Sequence, residues 1–286
     1  MQKETRFMPR RLTGTALKTV AAVAMLLDHI AYFFGFTGHI PGWFGAVGRI
    51  AAPLFLFCLA EGFAHTRSRK RYFLRIYLMG AIMGGFLFFM RYAGFAVRAD
   101  GFYPENSILT TFALLLVIWQ GIDCLRERRI AVGLALVLLP IVWPLVAGPL
   151  FAASPASLNT LEGFLCYTFL PIWNITGDTS LPVLVTGVLM YALRGNRRVQ
   201  VAGFVIWTML YDFAFVFWMA SRMMPDFAPV QMVTMYHEWL GAFAAVLMLC
   251  YNGKRGAGRK ALFYAFYPGH VYGLYALSCA LCAMLM

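Results

Sequence analysis

Charge is scarce in this chain: Asp, Glu, Lys and Arg make up 13% of its 286 residues, and acidic residues number 12 against 24 basic ones. Hydrophobic residues make up 61%, with a mean hydropathy of +0.71. That balance excludes a water-soluble domain of this length, and no polar stretch is long enough to fold apart. Residues 1–286 read as a single integral membrane domain. Cysteine is sparse too, six residues in all. Cys58, Cys166, Cys250, Cys279 and Cys282 lie in apolar runs and Cys124 in a basic loop, so neither a disulfide framework nor a metal site is expected. An internal repeat is also missing. Neither the Asp28-His29 segment nor Gly48-Arg49 recurs in the second half, which argues against the duplicated architecture of many transporters.

What is present is a succession of apolar runs, each near the ~20 residues that cross a bilayer's hydrocarbon core. Candidate spans are 17–36, 43–63, 72–92, 107–122, 130–150, 199–219, 231–250 and 261–284. The stretch from Leu161 to Leu193 is interrupted by Pro171, by Asn174 to Ser180 and by Pro182. It reads as one broken span, or as a span with a re-entrant piece, which needs protein or a water-filled cavity over its freed backbone. Of the 24 Lys and Arg, 20 fall in five places: Lys3 to Lys18, Arg67 to Arg75, Arg126 to Arg129, Arg194 to Arg198 and Lys254 to Lys260. The positive-inside rule sets all five on the cytoplasmic side. The expectation is therefore an all-α, polytopic transmembrane helical bundle of about nine spans, eight to ten being compatible, with a cytoplasmic N-terminus. The net charge of +12 does not indicate nucleic acid as a partner, because these cations sit in short loops with no face that could track phosphates. The basic N-terminal stretch is not read as a cleaved signal peptide, since no small-residue cleavage site follows it.

Against this background, ionisable residues at membrane depth stand out: Asp28, His29, Arg49, Asp212, His237, Glu238 and His270, with Glu61 and His65 at the cytoplasmic edge. A charge at the bilayer centre costs roughly 2.5–3.5 kcal/mol on insertion scales, so each is a functional hypothesis. Interhelical hydrogen bonds average about 0.6 kcal/mol, too little to offset so many polar placements by structure alone. Neighbours on a helix diverge by about 100°, so Asp28 cannot orient the imidazole of His29. An Asp28–Arg49 ion pair is expected instead, leaving His29 and His270 for proton transfer near neutral pH. An enzyme and a proton-coupled transporter or flippase both use buried histidines in this way. Glu61 either lines a cofactor mouth with His65 or pairs with Arg67 or Arg69. His237-Glu238, beside Trp239, reads as an interfacial anchor near the outer surface.

Several segments, taken in order, resemble the TraX family of bacterial membrane proteins, associated with acetylation of conjugative pilin. They are Leu12 to Lys18 leading into Leu27-Asp28-His29-Ile30; Gly48-Arg49 through Pro53 to Phe55; Glu61-Gly62 through His65 to Arg67; Asn106 to Thr110; Tyr251-Asn252-Gly253 to Gly256; and Phe263-Tyr264 to Tyr267-Pro268-Gly269-His270. The resemblance covers nearly the whole chain and thins between Gly121 and Ala245. It implies a multi-pass acetyltransferase of the bacterial inner membrane that takes acetyl groups from cytoplasmic acetyl-CoA. The acceptor it implies is an amine or hydroxyl, on a pilin-like peptide or an envelope glycan, with membrane lipids as the surroundings. Carried onto this sequence, His29 is the general base with His270 as second candidate, Asp28 supports it, and Arg49 is an oxyanion partner if Asp28 does not fully occupy it. Glu61, His65, Arg67, Lys70, Arg71, Asn252, Lys254 and Arg255 are the candidates for holding coenzyme A.

Overall fold

The computed structural model describes residues 11–105, 107–173, 180–258 and 260–285. Thirteen α-helices run through the described residues: α1 (Gly14–Phe34), α2 (Trp43–Gly48), α3 (Ala51–Ala64), α4 (Arg69–Ala93), α5 (Ile108–Arg126), α6 (Ile130–Ala152), α7 (Asn159–Thr168), α8 (Leu181–Ala192), α9 (Arg197–Thr208), α10 (Val216–Met223), α11 (Gln231–Thr234), α12 (Ala244–Leu249) and α13 (Lys260–Leu285). A π-helical turn, Met209–Phe215, joins α9 to α10, and a 3₁₀ segment, His237–Phe243, leads into α12. The one β pairing among the described residues is a parallel bridge between Leu12 and Tyr251.

Seven helical stretches are long and apolar enough to cross a membrane, and they fall within a few residues of the expected runs. Two shorter apolar helices, Leu181–Ala192 and His237–Leu249, accompany them. The expected span 231–250 is thus not one regular helix. Met235 and Tyr236 separate α11 from the 3₁₀ segment. The stretch between Leu161 and Leu193 is broken as anticipated, α7 ending at Thr168 and α8 opening at Leu181. Asn174 and the polar residues after it, to position 179, lie outside the described residues.

The chain forms two compact units. Residues 62–188 and 271–286 make one of them, in which α5 packs on α4 and α6, and α4 on α7. Small residues bring those helices together. A Cβ on Gly121 would meet Gly133 O of α6 at 2.9 Å, and one on Gly84 would collide with the Tyr167 carbonyl of α7. Close backbone approach of this kind is how helices associate where no hydrophobic drive separates protein from lipid. In the same unit the loop after α4 is anchored by buried Arg98, which donates to Asp100 at 2.7 and 2.8 Å and to Ser278 at 3.3 Å. These contacts hold the Arg98 guanidinium above and the Asp100 carboxyl below their ordinary values, the mutual hydrogen bond being the main cause in each case.

Residues 1–61 and 189–270 make the other unit. Its helices enclose Leu17, Phe33, Leu54, Phe57, Met190, Tyr191 and Phe204, all nearly inaccessible. The chain on either side of the β bridge is laced together. Leu12 N donates to Cys250 O, Asn252 N to Leu12 O, Gly14 N to Lys254 O and Thr15 N to Arg255 O, all at 2.8–3.0 Å. Thr15 Oγ1 adds bonds to Arg255 O and Ala257 O at 2.9 and 2.7 Å. The start of α1 and the loop before α13 are therefore one structural element.

Candidate active site

The polar residues of the unit made by residues 1–61 and 189–270, the first unit from here on, converge on α1. Thr13 caps this helix by accepting from Ala16 N, and the run to Phe34 carries no Gly or Pro after Gly14. His29 is buried, 6% exposed, with Nδ1 2.8 Å from Met25 O one turn back. On α13, His270 repeats the arrangement: 9% exposed, Nδ1 2.8 Å from Phe266 O. Its Nε2 lies 3.2 Å from His29 Nδ1, and the two rings meet edge to face at 4.7 Å.

Hydrogen-bond logic fixes the protons in the neutral pair. A carbonyl only accepts, so His270 Nδ1 carries hydrogen toward Phe266 O, and its Nε2 is then an acceptor. His29 Nδ1 faces two acceptors, Met25 O and His270 Nε2, and must be the donor to both. The basic lone pair of His29 therefore lies on Nε2. Aromatic rings hold the pair: Phe33 stacks on His29 at 5.8 Å, and Phe266 on His270 at 4.5 Å with planes 9° apart.

Arg49 sits where the expected continuous span 43–63 is interrupted between α2 and α3. The cause is Pro53, whose ring clashes with the carbonyl four residues back, that of Arg49. The displaced carbonyl lies against Gly241, where a Cβ would come within 3.1 Å of it. The guanidinium pairs with Asp28 as expected, with Arg49 Nη2 donating to Asp28 Oδ1. Arg49 Nε donates to Gly45 O at 3.2 Å, and Nη1 lies 3.6 Å from Glu238 Oε1. The oxyanion role expected of Arg49 required that Asp28 not fully occupy it; Asp28 takes Nη2, and Glu238 stands beside Nη1. Glu238, read from sequence as a surface anchor, belongs to this cluster, while Trp239 beside it donates to Met232 O at 2.7 Å. Asp212 lies on the π-helical turn, which packs against the 3₁₀ segment that carries Glu238. His237 lies against Gly45, and its buried Nδ1 has no hydrogen-bond partner among the described residues.

Nearer the α1 N-terminus, Glu61 has a partner other than the expected Arg67 or Arg69. Its partner is Arg197 at 3.1 Å, the side chains being 14% and 17% exposed. Arg197 lies over the rings of Phe57, 4.3 Å away, and Tyr251, 5.2 Å away, and donates to Gln200 Oε1 at 2.7 Å. Burial, reinforced by Glu61, raises the Tyr251 phenol above its ordinary value. Arg69 turns inward within the other unit to Asp123 at 2.7 Å and Gln120 at 3.0 Å. Sequence reasoning counted Arg197 only as a topology signal. A glutamine one helical turn after an arginine in an apolar run, Arg197 and Gln200, was the available clue.

The other candidates divide between the units. His65, Arg67, Lys70 and Arg71 are exposed around the start of α4. Asn252 is half-buried and accepts from Lys254 N at 2.8 Å, with Lys254 and Arg255 exposed beside Gly253 and Gly256 at positive φ. Among the described residues no group of three or more His, Cys, Asp or Glu is placed to hold a metal.

A family model described as "TraX protein" matches residues 13–278. The chain is 29% identical over 264 residues to a protein of Dichelobacter nodosus described as "Probable fimbrial assembly protein FimC, serogroup H1", an alignment covering 89% of this chain and 91% of that protein. No solved structure matches.

Proposed function

The chain belongs to the TraX family of multi-pass membrane proteins, and from that premise we propose that it is a membrane-embedded acetyltransferase moving an acetyl group from acetyl-CoA to an amine or hydroxyl acceptor. The observation that carries this reading is the buried imidazole pair, His270 Nε2 3.2 Å from His29 Nδ1, with each ring held by a carbonyl of its own helix. Such a pair has the fixed tautomer, with one ring nitrogen left as acceptor, that general base catalysis requires.

His29 Nε2 takes the proton from the acceptor's N–H or O–H as the new bond to the acetyl carbon forms. The positive charge that develops on the His29 ring is stabilised through Nδ1–H by His270 Nε2. When the carbon–sulfur bond breaks, the imidazolium returns its proton to the departing thiolate. General base catalysis of this kind contributes about 10²–10⁴-fold. The acyl donor is a thioester with an anionic nucleotide end. Lys254 and Arg255, on the loop that the α1 start holds in place, fit that end by charge, and Gly253 and Gly256 allow close backbone approach. Arg67, Lys70 and Arg71 on the other unit are the alternative anchor. These basic loops face the cytoplasm in this reading, in a bacterial inner membrane.

The similarity to a protein described as a fimbrial assembly protein favours a pilin-like N-terminal amine over an envelope glycan as acceptor. The test is transfer of label from radiolabelled acetyl-CoA to a pilin-like peptide by the purified protein in liposomes, comparing wild type with His29→Ala and His270→Ala. Transfer that is lost in His29→Ala and reduced in His270→Ala is the expected result. Absence of label transfer and of coenzyme A release from wild type, with pH-gradient-driven flux instead, establishes a transporter and refutes the enzyme.

A further inference from the structure

Three segments of the first unit meet at one guanidinium. Asp28 brings α1, Gly45 and Arg49 itself bring the break between α2 and α3, and Glu238 brings the 3₁₀ segment. Gly48 permits the approach, because a Cβ there would fall within van der Waals radius of the Asp28 side chain, and Gly241 permits the other side by leaving room for Arg49 O. Two carboxylates facing one cation leave it little net charge to offer an oxyanion, so its contribution must be geometric.

That geometry bears directly on His29, the next residue after Asp28 and on a different face of the same helix. A side-chain tip stands about 5–6 Å from a helix axis, so turning α1 by about 10° displaces the His29 ring by about 1 Å. We propose that Glu238 is a positioning residue which, through Arg49 and Asp28, sets the rotation of α1 and so the register of His29 against His270. The inference rests on the reading of His29 as the reactive base. Glu238 is the weaker of the two arms, 3.6 Å from Arg49 and 52% exposed, while Asp28 is the stronger.

The experiment uses the full chain in liposomes as wild type, Glu238→Gln, Glu238→Asp and Arg49→Lys. Coenzyme A release from acetyl-CoA is measured alongside carbethoxylation of individual histidines by diethylpyrocarbonate, resolved by mass spectrometry, and thermal stability. A 1 Å misplacement of a reacting group costs on the order of 10²-fold, so Arg49→Lys, which keeps charge but loses the fork, should lower kcat by about that factor. Glu238→Gln should lower it by about 3–10-fold with KM for acetyl-CoA unchanged, as a partly exposed ion pair contributes modestly. Glu238→Asp should recover part of the loss. Carbethoxylation of His29 should change at least about threefold in Glu238→Gln and Arg49→Lys, while exposed His39, the internal control, stays constant. Wild-type kcat and wild-type His29 labelling in both variants overturn the proposal. So does a loss of activity that follows thermal stability with His29 labelling unchanged, which makes Glu238 a stabilising contact only. A wild type that releases no coenzyme A removes the acetyltransferase reading, and the labelling comparison alone then decides the positioning role.

Discussion

Replacing Arg197 by Met should destabilise the protein more than any other single change at the inner end of the first unit. Arg197 and Glu61 meet at 3.1 Å with side chains 17% and 14% exposed, so neither partner has much water to fall back on. Removing the cation leaves the Glu61 carboxylate uncompensated, takes the donor from Gln200 Oε1, and empties the space against Phe57 and Tyr251. Breaking a buried pair from one side costs about 3–5 kcal/mol. Glu61→Gln keeps an acceptor of the same shape and should cost less, about 1–3 kcal/mol. The double variant Glu61→Leu/Arg197→Met removes both charges and should regain most of the loss, because an apolar pair of similar volume needs no desolvation. The assay is unfolding of purified protein in mixed detergent micelles, with the single Glu61→Leu variant added so that wild type, the two singles and the double close a double-mutant cycle. A single Arg197→Met within about 0.5 kcal/mol of wild type, or a double variant no better than Arg197→Met, refutes the argument, since surface pairs give that result and buried ones do not.

Gly48→Ala should cost about 1–3 kcal/mol and lower activity, because the added methyl must push Asp28 away from Arg49; wild-type stability in the same micelle assay contradicts the packing. Gly84→Ala, whose methyl meets the Tyr167 carbonyl in the other unit, should destabilise comparably while leaving diethylpyrocarbonate labelling of His29 unchanged. The loop after α4 should loosen in acid. The Asp100 carboxyl is held below its ordinary value by Arg98, so the stability it lends is present above the unfolded aspartate pKa and disappears as pH falls through the lower folded value. The protection factors of the loop amides, which correct exchange for its intrinsic base catalysis, should fall on acidification across that window. Asp100→Asn should abolish that pH dependence, and protection factors that are flat with pH in wild type count against the ion pair.

Most of the scaffold could be read in the chain because lipid imposes a length and a polarity on every crossing segment. The runs beginning near Lys18, Trp43, Tyr72 and Ile130 all became long helices. The Asp28–Arg49 pair was equally legible, since two opposite charges at one depth have few other partners. Three features were not. Pro53 was visible, but whether it kinks a span or divides it depends on what receives the carbonyl of Arg49, and Gly241 lies almost two hundred residues away. Glu61 had cations six and eight residues downstream, and proximity in sequence pointed there, whereas burial selected Arg197 with its aromatic rings and glutamine. The π-helical turn at Met209–Phe215 adds one residue to the helical ring without any marked composition. In the candidate site, residue type singled out His29 and His270 as candidates for proton transfer. Their contact, and the tautomer it dictates, came only from the packing of α1 against α13.

The lacing of Leu12–Thr15 onto Cys250–Ala257 constrains biosynthesis. The start of α1 has backbone partners that are translated some 240 residues later, so α1 can insert early but cannot complete its hydrogen bonding until the loop before α13 exists. A nascent chain stalled before residue 250 would carry an open backbone edge at the membrane surface, available to chaperones or proteases. Quality control that senses this edge would discard truncated products before the buried histidines ever meet.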